Sequence, residues 1–461
     1  MYRFIVAAAQ AALILAVSFS CAFANPTKFD HIVIIFQENR TPDNLFHGLN
    51  KRLPTADIAD YGTNSKGEKI TLAPIALATH FDLGHSHSDF VAAYDHGKMD
   101  GADLVQCYHA QGPCPPNAAF HYVAPADVAP YHTIAVRYGF ANRMFQTNQG
   151  PSFPAHQFIF SGTSQLNSRS PLFAADNPNT VPPGNNPNNS AVGCIAPPNE
   201  TVTTIGPGGK EGVKTYPCFE HSTLSDLLDR PPHDPAHPIS WRYYTESAVD
   251  IWGAPNAIRH LCQPAGNPPR CTAPQWTNGD IVIWPAQVLV DIGKKQLPAV
   301  SWVIPTGQDS DHANGNQGTG PSWVASIVNA IGQSAYWKNT VILITWDDWG
   351  GWYDHVKPPI DPTFGYYELG FRVPLLVVSP YTPAGYVSQK QHDFGSILRF
   401  VETVFDLGRI PPGNFADARA DDLMDFFDFS KPLRAFTPIP TKVPASHFTD
   451  RRRPMLPPDD D

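Results

Sequence analysis

The sequence predicts an α/β fold built in layers. Three observations carry that prediction: four near-continuous apolar runs, helical patterns lying between and after them, and a length of 461 residues with 42% hydrophobic residues. The first run, residues 31–36 (HIVIIF), leads into Gln37-Glu38-Asn39. Strands that are apolar at successive positions are buried on both faces, as in a sheet covered by helices on either side. Residues 222–228 open on a helix-capping pattern. The second run, 300–305 (VSWVIP), leads into Gln308-Asp309-Ser310-Asp311-His312, and a helix follows Pro321 over 323–331. The third, 340–346 (TVILITW), leads into Asp347-Asp348 and then Gly350-Gly351. The fourth is 374–380 (PLLVVSP), and 396–405 carries the apolar face of a last helix.

Composition bounds the function. Charged residues make up only 16%, which favours a large core over disorder, and the 48 prolines suggest long ordered loops. A net charge of −10 argues against a nucleic-acid partner, which would need a basic surface. There is no sign of an internal repeat, and no obligate protein partner is indicated.

Residues 1–24 read as an export signal: Arg3 precedes the apolar run 4–17, and Ala22-Phe23-Ala24 offers a small-x-small cleavage site before Asn25. The run is short for a membrane span, and Ser18-Phe19-Ser20 is a poor match to the residues that precede a lipid-anchored cysteine such as Cys21. The expected location is therefore secreted or periplasmic. Cleavage leaves Cys107, Cys114, Cys194, Cys218, Cys262 and Cys271. Six cysteines allow fifteen connectivities, of which pairing in chain order is the simplest. A zinc site is disfavoured, because no C-x-x-C spacing occurs. The expected division is a catalytic domain over 25–436, with 176–209 as a stapled surface loop, and a Pro-rich extended or frayed arm over 437–461.

The chemistry lies at the strand ends. Ligands of open α/β sheets bind beyond the carboxyl ends of the strands. Glu38-Asn39 and Asp347-Asp348 would both stand there, and crowded carboxylates repel unless a cation neutralises them. Either pair alone could simply cap its loop; together they point to a metal. An all-oxygen set favours a hard divalent cation, Ca²⁺, Mg²⁺ or Mn²⁺. In Asn148-Gln149-Gly150-Pro151-Ser152-Phe153-Pro154-Ala155-His156 a fixed turn precedes a helix expected to open near 157–160. Ser152 would then sit near helix amides that favour phosphate, and as a nucleophile it needs a base or a metal. His156 is expected to be a buried structural residue. His85 and His312 could hold a phosphate oxygen or protonate a leaving group. Asp354-His355 either orients the ligands or pairs within its loop.

These residues also resemble a family. Glu38-Asn39-Arg40-Thr41-Pro42-Asp43 is similar to the ENRSFD signature of the phosphoesterases that include bacterial and plant non-specific phospholipases C and certain bacterial acid phosphatases. Gly150–His156 resembles G-P-[ST]-x-P-N-H, Trp346–Val356 resembles W-D-E-x-G-G-F-Y-D-H-V, and Ser310-Asp311-His312 resembles S-D-H-P. The resemblance implies an alkaline-phosphatase-like three-layer α/β sandwich, a central mostly parallel sheet with helices on both faces. It implies metal binding by Glu38, Asn39, Ser152, Asp347 and Asp348, attack by Ser152, and a phosphate pocket lined by His85 and His312. Departures are Asp348 for Glu, Ala155 for Asn, Asn44 for His, and Phe394 for a frequent His. No extra C-terminal domain is apparent, so lipid specificity is not carried over with the motifs. The expected function is an exported, metal-dependent phosphoric-ester hydrolase of phospholipase C type acting through a phosphoserine on Ser152. Its substrate would be a phosphate ester, including phospholipid at a membrane surface. The alternatives are a broad phosphomonoesterase of acid-phosphatase type and, outside catalysis, an exported metal- or phosphate-binding module. Mass spectrometry of exported protein should find a chain starting at Asn25 with no free thiol; two or more free cysteines would contradict an oxidising compartment.

Overall fold

A computed structural model describes residues 28–109, 112–178, 191–360 and 366–455. The predicted export signal lies outside them. Eight strands form the central sheet: β1 (His31–Gln37), β2 (Gly139–Ala141), β3 (Trp241–Thr245), β4 (Ile281–Ile283), β5 (Val300–Val303), β6 (Thr340–Trp346), β7 (Leu375–Val378) and β8 (Tyr386–Ser388). Their spatial order is β4-β3-β5-β1-β6-β7-β2-β8. Among the described residues β7 alone runs against its sheet neighbours, so the sheet is mostly parallel as expected. The four apolar runs became β1, β5, β6 and β7, and every residue of β5, β6 and β7 is buried.

The helices that matter here are α1 (His87–Tyr94), α2 (Ala129–Arg137), α3 (Ser152–Ser161), α4 (Leu224–Asp229), α5 (Gln287–Gly293), α6 (Gly320–Gly332), α7 (Phe394–Phe405) and α8 (Ala445–Phe448). Register shows that they cover both faces. Ile34 lies level with Trp302 and with Leu343, whereas Gln37 lies level with Trp346. Side chains alternate along a strand, so Trp302 and Trp346 point to opposite faces. Phe160 of α3 meets Trp302 edge-on at 5.2 Å, and Tyr131 of α2 meets Trp346 at 5.0 Å. α3 packs with α4 and α7 on one side, and α2 with α6 and α5 on the other. The architecture is the three-layer α/β sandwich that the sequence predicts.

Three local expectations are corrected. α3 begins at Ser152 rather than near residue 157, because Pro154 falls in the first turn, where a missing N–H costs nothing. Within 176–209, Val202–Gly206 is a strand: it pairs with Lys210–Thr215 and adds to Phe173–Ala174. The arm beyond residue 436 is docked as far as it is described. Ile439 exchanges two hydrogen bonds with the Asn329 side chain, 2.7 and 2.8 Å, and Phe448 of α8 packs on Trp323 at 5.3 Å. The disulfides join Cys107–Cys114, Cys194–Cys218 and Cys262–Cys271, the chain-order pairing.

Buried Arg372 anchors the loops behind the sheet end. It forks onto Asp354 at 2.8 and 2.9 Å, reaches Asp43 at 3.4 Å, and donates to the carbonyls of Asp57 and Asn142. His355 donates from Nδ1 to Asp43 (2.7 Å) and from Nε2 to Asp57 (3.0 Å), and Asp57 also pairs with Arg143 at 2.7 Å. Asp354-His355 therefore ties loops together rather than orienting Asp347 or Glu38. Burial works against a charged His355, but Asp43 and Asp354 raise it from 6.5 to about 9. The folded state thus holds this proton more tightly than the unfolded chain. Its stabilisation is complete below the unfolded value of 6.5 and is lost as pH rises through about 9. Urea unfolding across that window should show stability falling in the wild type and falling less in His355→Gln. Equal slopes would contradict the assignment.

Candidate active site

β1 and β6 pair along their whole length, His31 with Thr340 through Gln37 with Trp346. The chain therefore leaves both strands at one level, and Glu38-Asn39 emerges beside Asp347-Asp348, all four fully buried. The two turns are sewn together: Asn39 N–H donates to Asp347 Oδ1 at 3.0 Å, and Arg40 N–H to the Asp348 carbonyl at 3.0 Å. Asn39 sits in the left-handed region at φ 64°, a conformation that costs on the order of 1 kcal/mol and is held by those bonds. Gly350, at φ 60°, lets the turns touch, since a Cβ there would overlap the Asn39 carbonyl.

The cluster carries more negative charge than its surroundings offset. Burial, then Asp347 and Asp348, push the Glu38 carboxyl well above its ordinary range. Burial and Asp347 do the same to Asp348. Both Glu38 oxygens, Asp347 Oδ2 and Asn39 Oδ1 are buried without a hydrogen-bond partner among the described residues. Each such atom costs about 1–3 kcal/mol if left unpaired. His156 joins them: its Nε2 lies 3.3 Å from Glu38 Oε1 and 3.9 Å from Asp347 Oδ2, and neither ring nitrogen has a partner. Burial holds this ring down at about 4, so it is neutral and offers a lone pair. Ligand atoms of Glu38, His156 and Asp347 all lie within 4.8 Å of one another. Converging partnerless oxygens and a neutral imidazole are what a divalent cation requires, so these residues fit one.

Ser152 stands against this cluster at the first position of α3, following Pro151 at the N-cap. Its hydroxyl donates to Asp348 Oδ2 at 3.2 Å, and Asp348 Oδ1 accepts from Gly350 N–H at 2.7 Å. The serine is 1% exposed. In the first turn of α3 the Phe153 N–H is taken by Asn177 Oδ1 at 3.0 Å and the Ala155 N–H by the Pro151 carbonyl at 3.2 Å, and Pro154 has no N–H.

The two predicted histidines face the same place. Their ring centres are 5.9 Å apart. His85 directs Nδ1 to the Leu83 carbonyl (2.8 Å) and Nε2 to Asn39 Nδ2 (3.0 Å). Burial opposes a charged His85, yet Asp348, Asp82 and Asp347 raise it to about 9, whereas the Asn39 donor suits a neutral ring. A cation among those carboxylates would oppose the rise and favour the neutral form. His312 directs Nδ1 to the Ala313 carbonyl at 2.6 Å, with Asp82 Oδ2 at 3.8 Å. Arg40, buried over Trp352, holds the Asp311 carbonyl at 2.8 Å and so ties the His312 loop to β1.

The sequence has relatives among known proteins. The sequence matches the phosphoesterase family over residues 29–408. The chain belongs to that family. It is 25% identical to the hemolytic phospholipase C of Pseudomonas aeruginosa over 456 residues, covering 87% of this chain and 56% of that one. It is 28% identical to the non-specific phospholipase C6 of Arabidopsis thaliana over 145 residues, 25% of this chain and 28% of that one. The chain thus spans little more than half the length of the Pseudomonas relative. Among solved structures it is similar to a protein in the alkaline phosphatase superfamily from Vibrio parahaemolyticus, with TM-score 0.37 and 10% identity over 89% of this chain and 72% of that one.

The structure brings Glu38, Asn39, Asp347, Asp348, Ser152, His85 and His312 into one site. It adds His156, which the sequence reading set aside as structural. The signal for it was present: His156 follows Ser152 by four residues, so once α3 starts at Ser152 both lie on one helix face. Glu38→Gln, Asp347→Asn and His156→Ala should each weaken divalent-metal binding by at least about tenfold, read by calorimetry on chelator-stripped protein. Unchanged affinity in His156→Ala would remove it from the ligand set.

Proposed function

We propose that the chain hydrolyses phosphoric esters in the manner of a phospholipase C, through a phosphoserine on Ser152. A divalent cation held by Glu38, Asn39, His156, Asp347 and Asp348 would serve the site. One observation supports this most: Ser152 Oγ, at a helix N-terminus, donates to Asp348 Oδ2 beside a group of partnerless ligand atoms. When bound, the cation offsets the carboxylate charge and polarises the phosphoryl group. The imidazole in the set moves the preference from the Ca²⁺, Mg²⁺ or Mn²⁺ expected of oxygens alone towards a transition metal such as Zn²⁺ or Fe²⁺.

The chain's own residues perform the proton and electron movements. As Ser152 Oγ attacks phosphorus, Asp348 Oδ2 is placed to take its proton. The Oγ–P bond forms while the bond from phosphorus to the leaving oxygen breaks, and that oxygen takes a proton from His312. Both histidines offset charge on the remaining phosphoryl oxygens. Water then attacks from the vacated side and gives a proton to the histidine. The Oγ–P bond breaks, and Ser152 recovers its proton from Asp348.

The phospholipase C relatives favour a phosphodiester substrate, including phospholipid, and parallel assays with nitrophenyl phosphocholine and nitrophenyl phosphate distinguish that from a monoester. We read the site of action as outside the cytoplasm, secreted or periplasmic, as the three disulfides favour. Among the described residues no helix is long and apolar enough to cross a membrane. Ser152→Ala should lower kcat by about 10³ or more, since only binding and electrostatic contributions remain. Acid-quenched turnover should leave phosphate on Ser152. Near wild-type turnover by Ser152→Ala would exclude the covalent route, and no turnover of either ester by the wild type would favour a binding module.

A further inference from the structure

The segment beyond residue 408 lies outside the family match, yet its end reaches the loop that carries His312. Arg453 donates two parallel bonds to one carboxylate, Nη1 to Asp309 Oδ2 and Nη2 to Asp309 Oδ1, both 3.1 Å. The next residue continues the contact, with Gln308 Nε2 donating to the Pro454 carbonyl at 2.9 Å. Phe448 on Trp323 and Arg451 over the Trp284 ring at 3.9 Å pin the strap on either side. The pair is largely buried, with side-chain exposure of 18% for Arg453 and 7% for Asp309.

Asp309 sits at the hub of a stiff turn. Thr319 Oγ1 donates to its Oδ1 at 2.8 Å and Thr306 Oγ1 to its Oδ2 at 3.1 Å. Further along, Ser310 Oγ donates to the Gly307 carbonyl at 2.7 Å, and His312 N–H donates to Ser310 Oγ at 3.1 Å. A displacement of Asp309 therefore passes through three residues to His312. Losing the guanidinium would leave the Asp309 carboxylate, 7% exposed, without the cation that pairs with it. The Glu246 carboxyl, which accepts from Gly307 N–H at 3.1 Å, is pushed up to about 8 by burial, then by Asp250 and Asp309. Arg453 is the cation of the strap that meets this acidic group.

We propose that Arg453 is a positioning residue: it clamps Asp309, fixes the 307–312 turn and so holds His312 at the phosphate pocket. The inference rests on the role given to His312 above. Lysine would keep the charge but lose the planar fork, so the two contributions separate experimentally. In the full chain, R453A should speed amide exchange across 307–316 and lower kcat about tenfold with KM little changed, the size expected when a reacting group shifts without being lost. R453K should recover part of both, and it serves as the variant to measure should R453A fail to fold. If Arg453 acts through His312, R453A added to H312A should cost almost nothing further. Exchange over 307–316 that R453A leaves unchanged, or an undiminished loss in the H312A background, overturns the proposal. Should the wild type hydrolyse neither ester, the catalytic reading fails while the exchange measurement still decides the clamp.

Discussion

Two neighbouring parallel strands end at the same level on carboxylates, and much of the molecule answers the repulsion that this creates. Full pairing of β1 with β6 makes the coincidence unavoidable, because a parallel register fixes where both chains leave the sheet. Two like charges about 4 Å apart repel by about 4 kcal/mol at an effective dielectric of 20. Covering both faces with helices removes the water that would otherwise soften this. The protein does not dilute the charge with a resident lysine or arginine at Glu38. Instead it leaves oxygens unpaired and aims a neutral imidazole at them. The same arrangement gives Asp348 to the Ser152 hydroxyl, so the unbalanced charge and the proposed nucleophile are consequences of one strand pairing.

How much of this was legible depends on how local its cause is. The four long apolar runs announced β1, β5, β6 and β7 because central strands bury both faces and need no alternation. The strand-end residues followed from those strands, which is why Glu38, Asn39, Asp347 and Asp348 could be named from sequence. The edge strands β4 and β8, and β2 beside β8, are three residues each, too short to carry a period. The start of α3 was misplaced because Pro151 and Pro154 read as turn residues, and His156 was missed with it. The docked arm was illegible for another reason. Its hold depends on single distant partners, Asn329 for Ile439 and Asp309 for Arg453, and nothing in its local composition announces them.

Grouped acids and histidines do not by themselves mark a cation site, as three such groups among the described residues demonstrate. Asp43, Asp354 and His355 lie as close together as Glu38, His156 and Asp347. There, however, Arg372 enters the group, Arg143 neutralises the adjoining Asp57, and His355 spends both ring nitrogens as donors. His392, Asp421 and Asp425 form the third group, and again both nitrogens are spent, Nδ1 on Asp421 at 2.7 Å and Nε2 on Ser388 Oγ at 2.8 Å. An imidazole with two committed nitrogens has no lone pair for an ion. At Glu38 the situation is reversed: among the described residues no side-chain cation enters, and neither nitrogen of His156 is committed. Spacing is common to all three groups, whereas uncompensated charge beside an open lone pair is found at the one that also holds Ser152. That contrast, more than the presence of acidic residues, is what favours the carboxyl ends of β1 and β6 as the proposed site.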